Sequence, residues 1–259
     1  MEHLKMLTVN KFNFLHLNIN NQMIRILITF LIIFSANIHM AGNIKITVQA
    51  GPYDRTDCVV SADISGLNLK ASSSVELYEI TGKQKTPVPC QLITGKETGA
   101  VLYWILEGKT NAGATRTFIA KKRKQKQTGK PVMCVEDNQK TLILKKNDKN
   151  ILQYNYTHVE PHAGADKSYG RSGFIHPAYS PEGNILTTIQ PKDHYHHYGI
   201  WNPWTRIMYD GKMYDLWNLR DKQGTVKASG IEDTYNGEIF TGDTATLDHY
   251  IFTPEEEKI

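Results

Sequence analysis

From Asn43 onward the chain is built of short stretches that alternate apolar and polar residues, each closed by turn chemistry. This period of two points to sheets and away from helices. Ile44 to Val48, Cys58 to Ile64 and Val75 to Ile80 carry the alternation, and Val101 to Leu106 is a compact apolar block. Ser65-Gly66, Thr81-Gly82, Gly95 and Asn111 to Gly113 supply the reversals. No helical period is evident between residues 43 and 120, so a small antiparallel sandwich is expected there. It holds no chemical constellation, and its expected role is to brace the neighbouring domain. Trp104, inside the apolar block, reads as core.

A tight basic cluster, Lys121, Lys122, Arg123, Lys124, Lys126 and Lys130, is followed closely by Pro131 and reads as a solvated loop or linker. It separates a first domain at 42–125 from a second at 126–259. In the second, Thr141 to Leu144 and Ile151 to Tyr156 are apolar-rich arms around Lys146 to Asn150, a hairpin signal. Further strand signals fall at Phe174 to Ala178, Ile185 to Ile189, Ile200 to Tyr209, Lys227 to Ile231, Glu238 to Phe240 and Thr246 to Phe252. The expected fold class is therefore all-β, a small antiparallel sandwich followed by a larger antiparallel β-sandwich. His158 to Gly173 is a long loop holding Glu160, His162, Asp166 and Arg171, the kind of loop that binds ligands on a β scaffold.

One long apolar run, Ile24 to Phe34, carries Arg25 near its start and is followed by Ser35 and Ala36. It is short for a bilayer span, and the order of basic residue, apolar block and small residues is that of a secretory signal. Residues 1–41 are read as leader plus signal, with the true start at Met23, and the protein is expected to be exported, periplasmic or extracellular, with no membrane span in the mature chain. Lys5, Lys11 and Arg25 against Glu2 give that leader +2 of the formal +4, so the charge offers no case for a nucleic-acid partner. Cys58, Cys90 and Cys134 are odd in number and lack metal-type spacing. Buried free thiols are expected, with a Cys58 to Cys90 bridge as the alternative.

Chemistry concentrates at Asp193-His194-Tyr195-His196-His197-Tyr198-Gly199-Ile200-Trp201-Asn202-Pro203-Trp204, which holds three of the ten histidines. Imidazoles titrate near neutrality and bind metals, while indole and phenol faces are platforms for sugars and other ring-shaped ligands. Read as a strand, His194 and His196 share one face and Tyr195 and His197 the other, with i and i+2 side chains roughly 6.5 to 7 Å apart. Two imidazoles at that spacing suit a metal ion completed by a third ligand, or a substrate held between a hydrogen-bond donor and a general base. A plainer reading is an aromatic-rich sheet whose histidines bond to backbone. No HExxH or CxxC motif supports a metal, and the metal question stays open.

The order Phe174-Ile175-His176-Pro177-Ala178-Tyr179-Ser180-Pro181-Glu182-Gly183, then Asp193 to Trp201, then Tyr214-Asp215-Leu216-Trp217-Asn218 resembles the DUF6807 family, also called PmoA-like. The resemblance covers about residues 130–259 and is most specific in the Asp-His-x-His-His-x-Gly-x-Trp core. A methane oxygenase subunit of the membrane would need several spanning helices, so the oxygenase label sometimes given to the family is not carried over. The resemblance implies an exported β-sandwich associated with carbohydrate use, similar by fold-level analogy to the galactose mutarotase type. It places His176, Asp193, His194, His196, His197 and Trp201 in or near a pocket, with Trp217 as a stacking partner. Tyr198 departs from the basic residue common at that position. The family domain looks longer than the second domain of this chain, which reads as a C-terminal truncation.

The expected catalytic set is His194, His196, His197, Asp193 and His176, and the expected substrate-binding set is Trp201, Trp217, Tyr195 and Arg171. A sugar ring would stack on Trp201 or Trp217 while His197 or His194 moves a proton and Asp193 or His176 orients it. Arg171 could pair a substrate carboxylate, although a solvated or structural ion pair is its plainer role. Standard glycoside cleavage wants two carboxylates, and Asp193 is the motif's only one. No Gly-rich phosphate loop or Gly-x-Ser-x-Gly elbow occurs, so no cofactor is indicated. The partner expected is a carbohydrate or other small molecule, either turned over or bound without turnover.

Overall fold

The structure, a computed structural model, describes residues 42–70, 73–95, 99–123, 131–202 and 204–252 and the backbone of 257–258. The expected leader and the Met23 start lie outside the described residues, as do Lys124, Lys126 and Lys130 of the basic cluster. Among the described residues no helix is long and apolar enough to cross a membrane. The chain is all-β and divides into two compact units, Met1–Gly129 and Lys130–Ile259.

Seven strands make the first unit: β1 (Asn43–Gln49), β2 (Arg55–Asp63), β3 (Val75–Thr81), β4 (Gln84–Val88), β5 (Cys90–Gly95), β6 (Gly99–Thr110) and β7 (Thr115–Lys122). They form two antiparallel sheets, ordered β1-β7-β3-β4 and β2-β6-β5. Alternation decides which face is buried. On β6 it turns Ala100, Leu102, Trp104 and Leu106 inward, and on β7 Phe118 and Ala120. These meet Ile46, Val48, Val60, Ala62 and Leu77 in one core, a β-sandwich in which the Trp104 and Phe118 rings lie 5.2 Å apart. β7 continues through Lys121 and Lys122, which the sequence pattern assigns to a loop. Lys121 is neutralised by Glu76 at 3.0 Å on the neighbouring strand, so the lysines extend the sheet instead of leaving it.

None of the three cysteines is in a disulfide; all are half-buried rather than fully buried, and the Cys58 and Cys90 thiols donate to the Thr56 and Val75 carbonyls.

In the second unit β8 (Met133–Asp137), β9 (Thr141–Lys146), β10 (Lys149–Asn155), β11 (Phe174–Ala178) and β12 (Ile200–Trp201) make an antiparallel meander in that spatial order. The β9–β10 hairpin turns on Asn147 and Asp148, both at positive φ, as a two-residue turn of matching twist requires. A small hairpin, β13 (Ile207–Tyr209) and β14 (Lys212–Tyr214), and a sheet of β15 (Gly224–Tyr235), β16 (Gly242–Ile251) and β17 (Glu257–Lys258) complete the unit. The β15–β16 ribbon has two partners. Ile231 and Ala245 pack with Leu142, Leu144 and Tyr154 of the meander, and Val226 and Ile251 pack with Ile207 and Leu216.

Two expected strands are absent. Ile185 to Ile189 holds only single bridges, Tyr179 to Ile185 and Ile189 to Tyr198, and Ile185 is 59% exposed, so its apolar residues have no facing layer. Glu238 to Phe240 belongs to the turn between β15 and β16. Ile200 to Tyr209 is two short strands separated by a loop, not one.

Candidate functional site

Three connections supply the site: the loop from β10 to β11, which ends in Arg171; the long connection from β11 to β12, which carries His194, His196 and His197; and the segment from β14 to β15, which carries Asp215 and Trp217. The histidine run is not a strand. His194 N–H donates to the Pro191 carbonyl at 2.8 Å and His197 N–H to the His194 carbonyl at 3.0 Å, so the chain makes two successive turns. The facing expected from a strand is therefore corrected. His197 joins His194 and His196 instead of opposing them, and Tyr195 is the residue sent elsewhere.

The three imidazoles touch one another, with centroids 5.7 Å apart for His194 and His196, 4.8 Å for the stacked His194 and His197, and 4.6 Å for His196 and His197. Trp217 closes the group at 4.6 Å from His196 and 5.4 Å from His197, and Trp201 lies 5.8 Å from His197. Buried and without a hydrogen-bond partner are Nε2 of His196, Nε2 of His197 and Nε1 of Trp201. Buried ring nitrogens normally find partners, and these three without one lie in a single cluster. Among the described residues no three His, Cys, Asp or Glu side chains are arranged to hold a metal ion.

The remaining expected residues fall around this group rather than in it. Asp193 pairs with His194 Nδ1 at 3.1 Å, but its side chain is 78% exposed. Its carboxyl is held below the usual range first by a backbone N–H and then by His194. His176, on β11, turns its Nδ1 to the Thr187 hydroxyl at 2.9 Å and makes no ring contact with the other histidines. Burial pushes its pKa down. Tyr195 packs with Tyr169 at 5.7 Å and His162 at 6.3 Å. Trp204 lies 4.4 Å from His249, apart from Trp201 and Trp217.

Arg171 departs most from expectation. It is neither solvated nor ion-paired: it is 2% exposed, its Nη2 donates to the Leu216 carbonyl at 2.9 Å, and Nε and Nη1 have no partner. Burial lowers its pKa to about 10, which still leaves it charged at neutrality. Its charge reaches His196. Desolvation pushes that imidazole below the ordinary histidine value, His197, His194 and Arg171 push the same way, and Asp215 opposes them.

Several structural partners have no obvious mark in the sequence. Tyr198 is fully buried; its hydroxyl donates to the Tyr169 carbonyl at 2.6 Å and accepts from Gln190 Nε2. Gln190 Oε1 in turn accepts from His162 N–H at 2.8 Å, so one buried network ties the histidine connection to the Arg171 loop. Burial raises the Tyr198 hydroxyl to about 12, so it remains a neutral structural tie. Asp215 Oδ1 accepts from Trp217 N–H at 2.7 Å and Asn218 N–H at 3.0 Å, an Asx turn that fixes where the indole starts. Asp215 stands in the Tyr214 to Asn218 run quoted from the sequence, which marks the residue but not this role.

Fold and site together define an all-β protein of two units whose second unit carries an imidazole–indole cluster and a buried guanidinium bonded to the carbonyl of the residue before Trp217. Residues 141–257 match the sequence profile of DUF6807, a family of unknown function, and the second unit is a member of it; every site residue from Arg171 to Trp217 lies inside the matched segment. No curated protein and no solved structure matches the chain.

Proposed function

We propose that the second unit binds a carbohydrate or related small ring-bearing molecule at the His194–His196–His197–Trp217 cluster and moves a proton on it. The observation that carries this reading is the convergence of three imidazoles and an indole with orphaned Nε2 atoms on His196 and His197. An apolar ring face rests on Trp217 or Trp201, and the imidazole nitrogens meet its hydroxyl groups. His196, kept neutral by burial, serves as proton acceptor, and Asp193 orients His194 through the pair at Nδ1.

Proton transfer, or binding without turnover, fits better than glycoside cleavage by two carboxylates. Asp193 is largely in solvent and Asp215 is committed to its turn, so neither is presented as a buried acid. Export, to periplasm or exterior, is part of the same reading and rests on the apolar run Ile24 to Phe34.

Thermal unfolding of the full chain with a panel of mono- and oligosaccharides tests it, because a ligand bound only by the folded state raises the midpoint. One sugar class should raise the midpoint, and His197→Ala should remove that rise while leaving the ligand-free midpoint near wild type. No response to any sugar, or a His197→Ala chain that no longer unfolds cooperatively, overturns the reading.

A further inference from the structure

Arg171 carries a permanent charge in a place where its own chain provides no counterion. Among the described residues no carboxylate pairs with it, and its single hydrogen bond is to the Leu216 carbonyl. Unpaired buried charges are rare because water is a far better solvent for them than protein. A guanidinium kept in this state over the course of folding is one whose partner arrives separately.

The geometry of the fork says what that partner is. Guanidinium offers five N–H donors in one plane, arranged as two edges that each present a parallel pair. The Leu216 carbonyl takes one Nη2 proton, which belongs to one edge. The other edge keeps both its protons, the second of Nη2 together with that of Nε or Nη1, and both Nε and Nη1 are orphaned. Two parallel donors match a planar pair of oxygens. His196, against Trp217 and within the field of Arg171, adds an orphaned Nε2 to the same neighbourhood.

We propose that Arg171 holds the anionic oxygens of the bound molecule, and that the ligand of this site is a sugar acid or similar small hydroxy-carboxylate rather than a neutral sugar. A carboxylate is favoured over a phosphate by charge count: among the described residues Arg171 is the only fully buried arginine or lysine, which balances a monoanion and leaves a dianion uncompensated. The proposal rests on the ring-binding reading above, and the Leu216 bond explains why the anion would sit beside the indole: Trp217 is the next residue, so the carbonyl that fixes the fork and the stacking ring are one residue apart.

The test compares glucuronate and galacturonate with glucose, galactose, glucose 6-phosphate and inorganic phosphate, by titration calorimetry and thermal shift on the full chain at matched ionic strength. A uronate should bind at least ten-fold more tightly than its neutral parent sugar. Arg171→Lys, which keeps the charge but loses the fork, should remove that preference while the weak binding of the neutral sugar persists. Equal affinity for uronate and neutral sugar overturns the anion site and leaves the ring-binding site standing. Tighter binding of the phosphorylated sugar or of phosphate than of the uronate overturns the carboxylate assignment. No binding by any sugar, charged or neutral, overturns the ring-binding reading and this proposal with it. Should Arg171→Lys fail to fold, the panel on the unaltered chain still decides.

Discussion

The imidazole of His196 meets the indole of Trp217 edge to face, with centroids 4.6 Å apart and planes at 74°. The contact joins the β11–β12 connection to the β14–β15 connection, and neither is held in a regular ladder at that point. Aromatic pairs in this geometry contribute roughly 0.5 to 1.5 kcal/mol beyond their area. The contact therefore fixes both partners of the site at once, and the part of the Trp217 ring face that His196 does not cover is what a ligand ring would stack on under the proposed function.

Trp217→Ala should cost about 1 kcal/mol of stability and weaken binding of whichever sugar responds at least ten-fold, while Trp217→Phe retains much of both. Urea denaturation and titration of the two variants check this. An alanine variant that binds like wild type would remove the indole from the site.

Stability should depend on pH in one direction. Burial pushes His176, His196 and His249 below the ordinary value of 6.5, with Asp248 opposing weakly at His249. A histidine held neutral when folded binds fewer protons than the unfolded chain just below that value, so stability rises with pH there. The contribution is complete above about pH 6.5 and is lost as pH falls toward the lowered folded values. Denaturation midpoints measured from about pH 8 to about pH 5 should fall below pH 6.5, and His249→Phe should flatten the fall without reversing it. A midpoint that rises on acidification would contradict the assignment.

Gly199 is required by backbone approach. It has φ +47°, and an added Cβ would lie 2.2 Å from the Ile175 carbonyl oxygen and 3.2 Å from His176 Cβ. The obstacle is the neighbouring strand, which cannot swing aside as a flexible side chain would. Gly199→Ala should lose more than about 2 kcal/mol in chemical denaturation. Because Gly199 leads directly into β12, the variant should also show altered Trp201 fluorescence; a near-wild-type midpoint would refute the crowding argument.

The fold is legible in the sequence wherever alternation is intact. β1 and β3 read directly because their periods of two run unbroken into turns with turn chemistry, and the β9–β10 hairpin reads from its apolar arms and its turn despite a register shift between Asn150 and Leu152. β15 is longer than its apparent signal because its register slips between Ala228 and Gly230 and again between Ile231 and Asp233, and each slip breaks the period. The residue types of the site are visible in the Asp193 to Trp204 run, but their facing is not: Pro191 and Asp193 are turn formers, and two successive turns replace the strand's alternation with a cluster. Arg171 is opaque for a different reason. Its one hydrogen bond is to the Leu216 carbonyl, far along the chain, and an arginine in a loop otherwise reads as solvated.

Trp104 offers the sharpest test of the first unit. It is fully buried on β6, and its ring meets Phe118 of the opposite sheet at 5.2 Å, so truncation opens a cavity between the two layers. Trp104→Ala should cost roughly 3 to 5 kcal/mol. Its indole Nε1 has no hydrogen-bond partner, so Trp104→Phe removes an unsatisfied donor while leaving a smaller void, and should cost distinctly less, about 1 to 2 kcal/mol. Hydrogen exchange in peptides covering β1, β3, β6 and β7 reads the difference, because these strands line the same core. Phenylalanine should keep most of their protection and alanine should lose it. Equal losses in the two variants would mean that the indole N–H has a partner after all, and a loss below about 1 kcal/mol for alanine would mean that the sheets are not joined through this side chain.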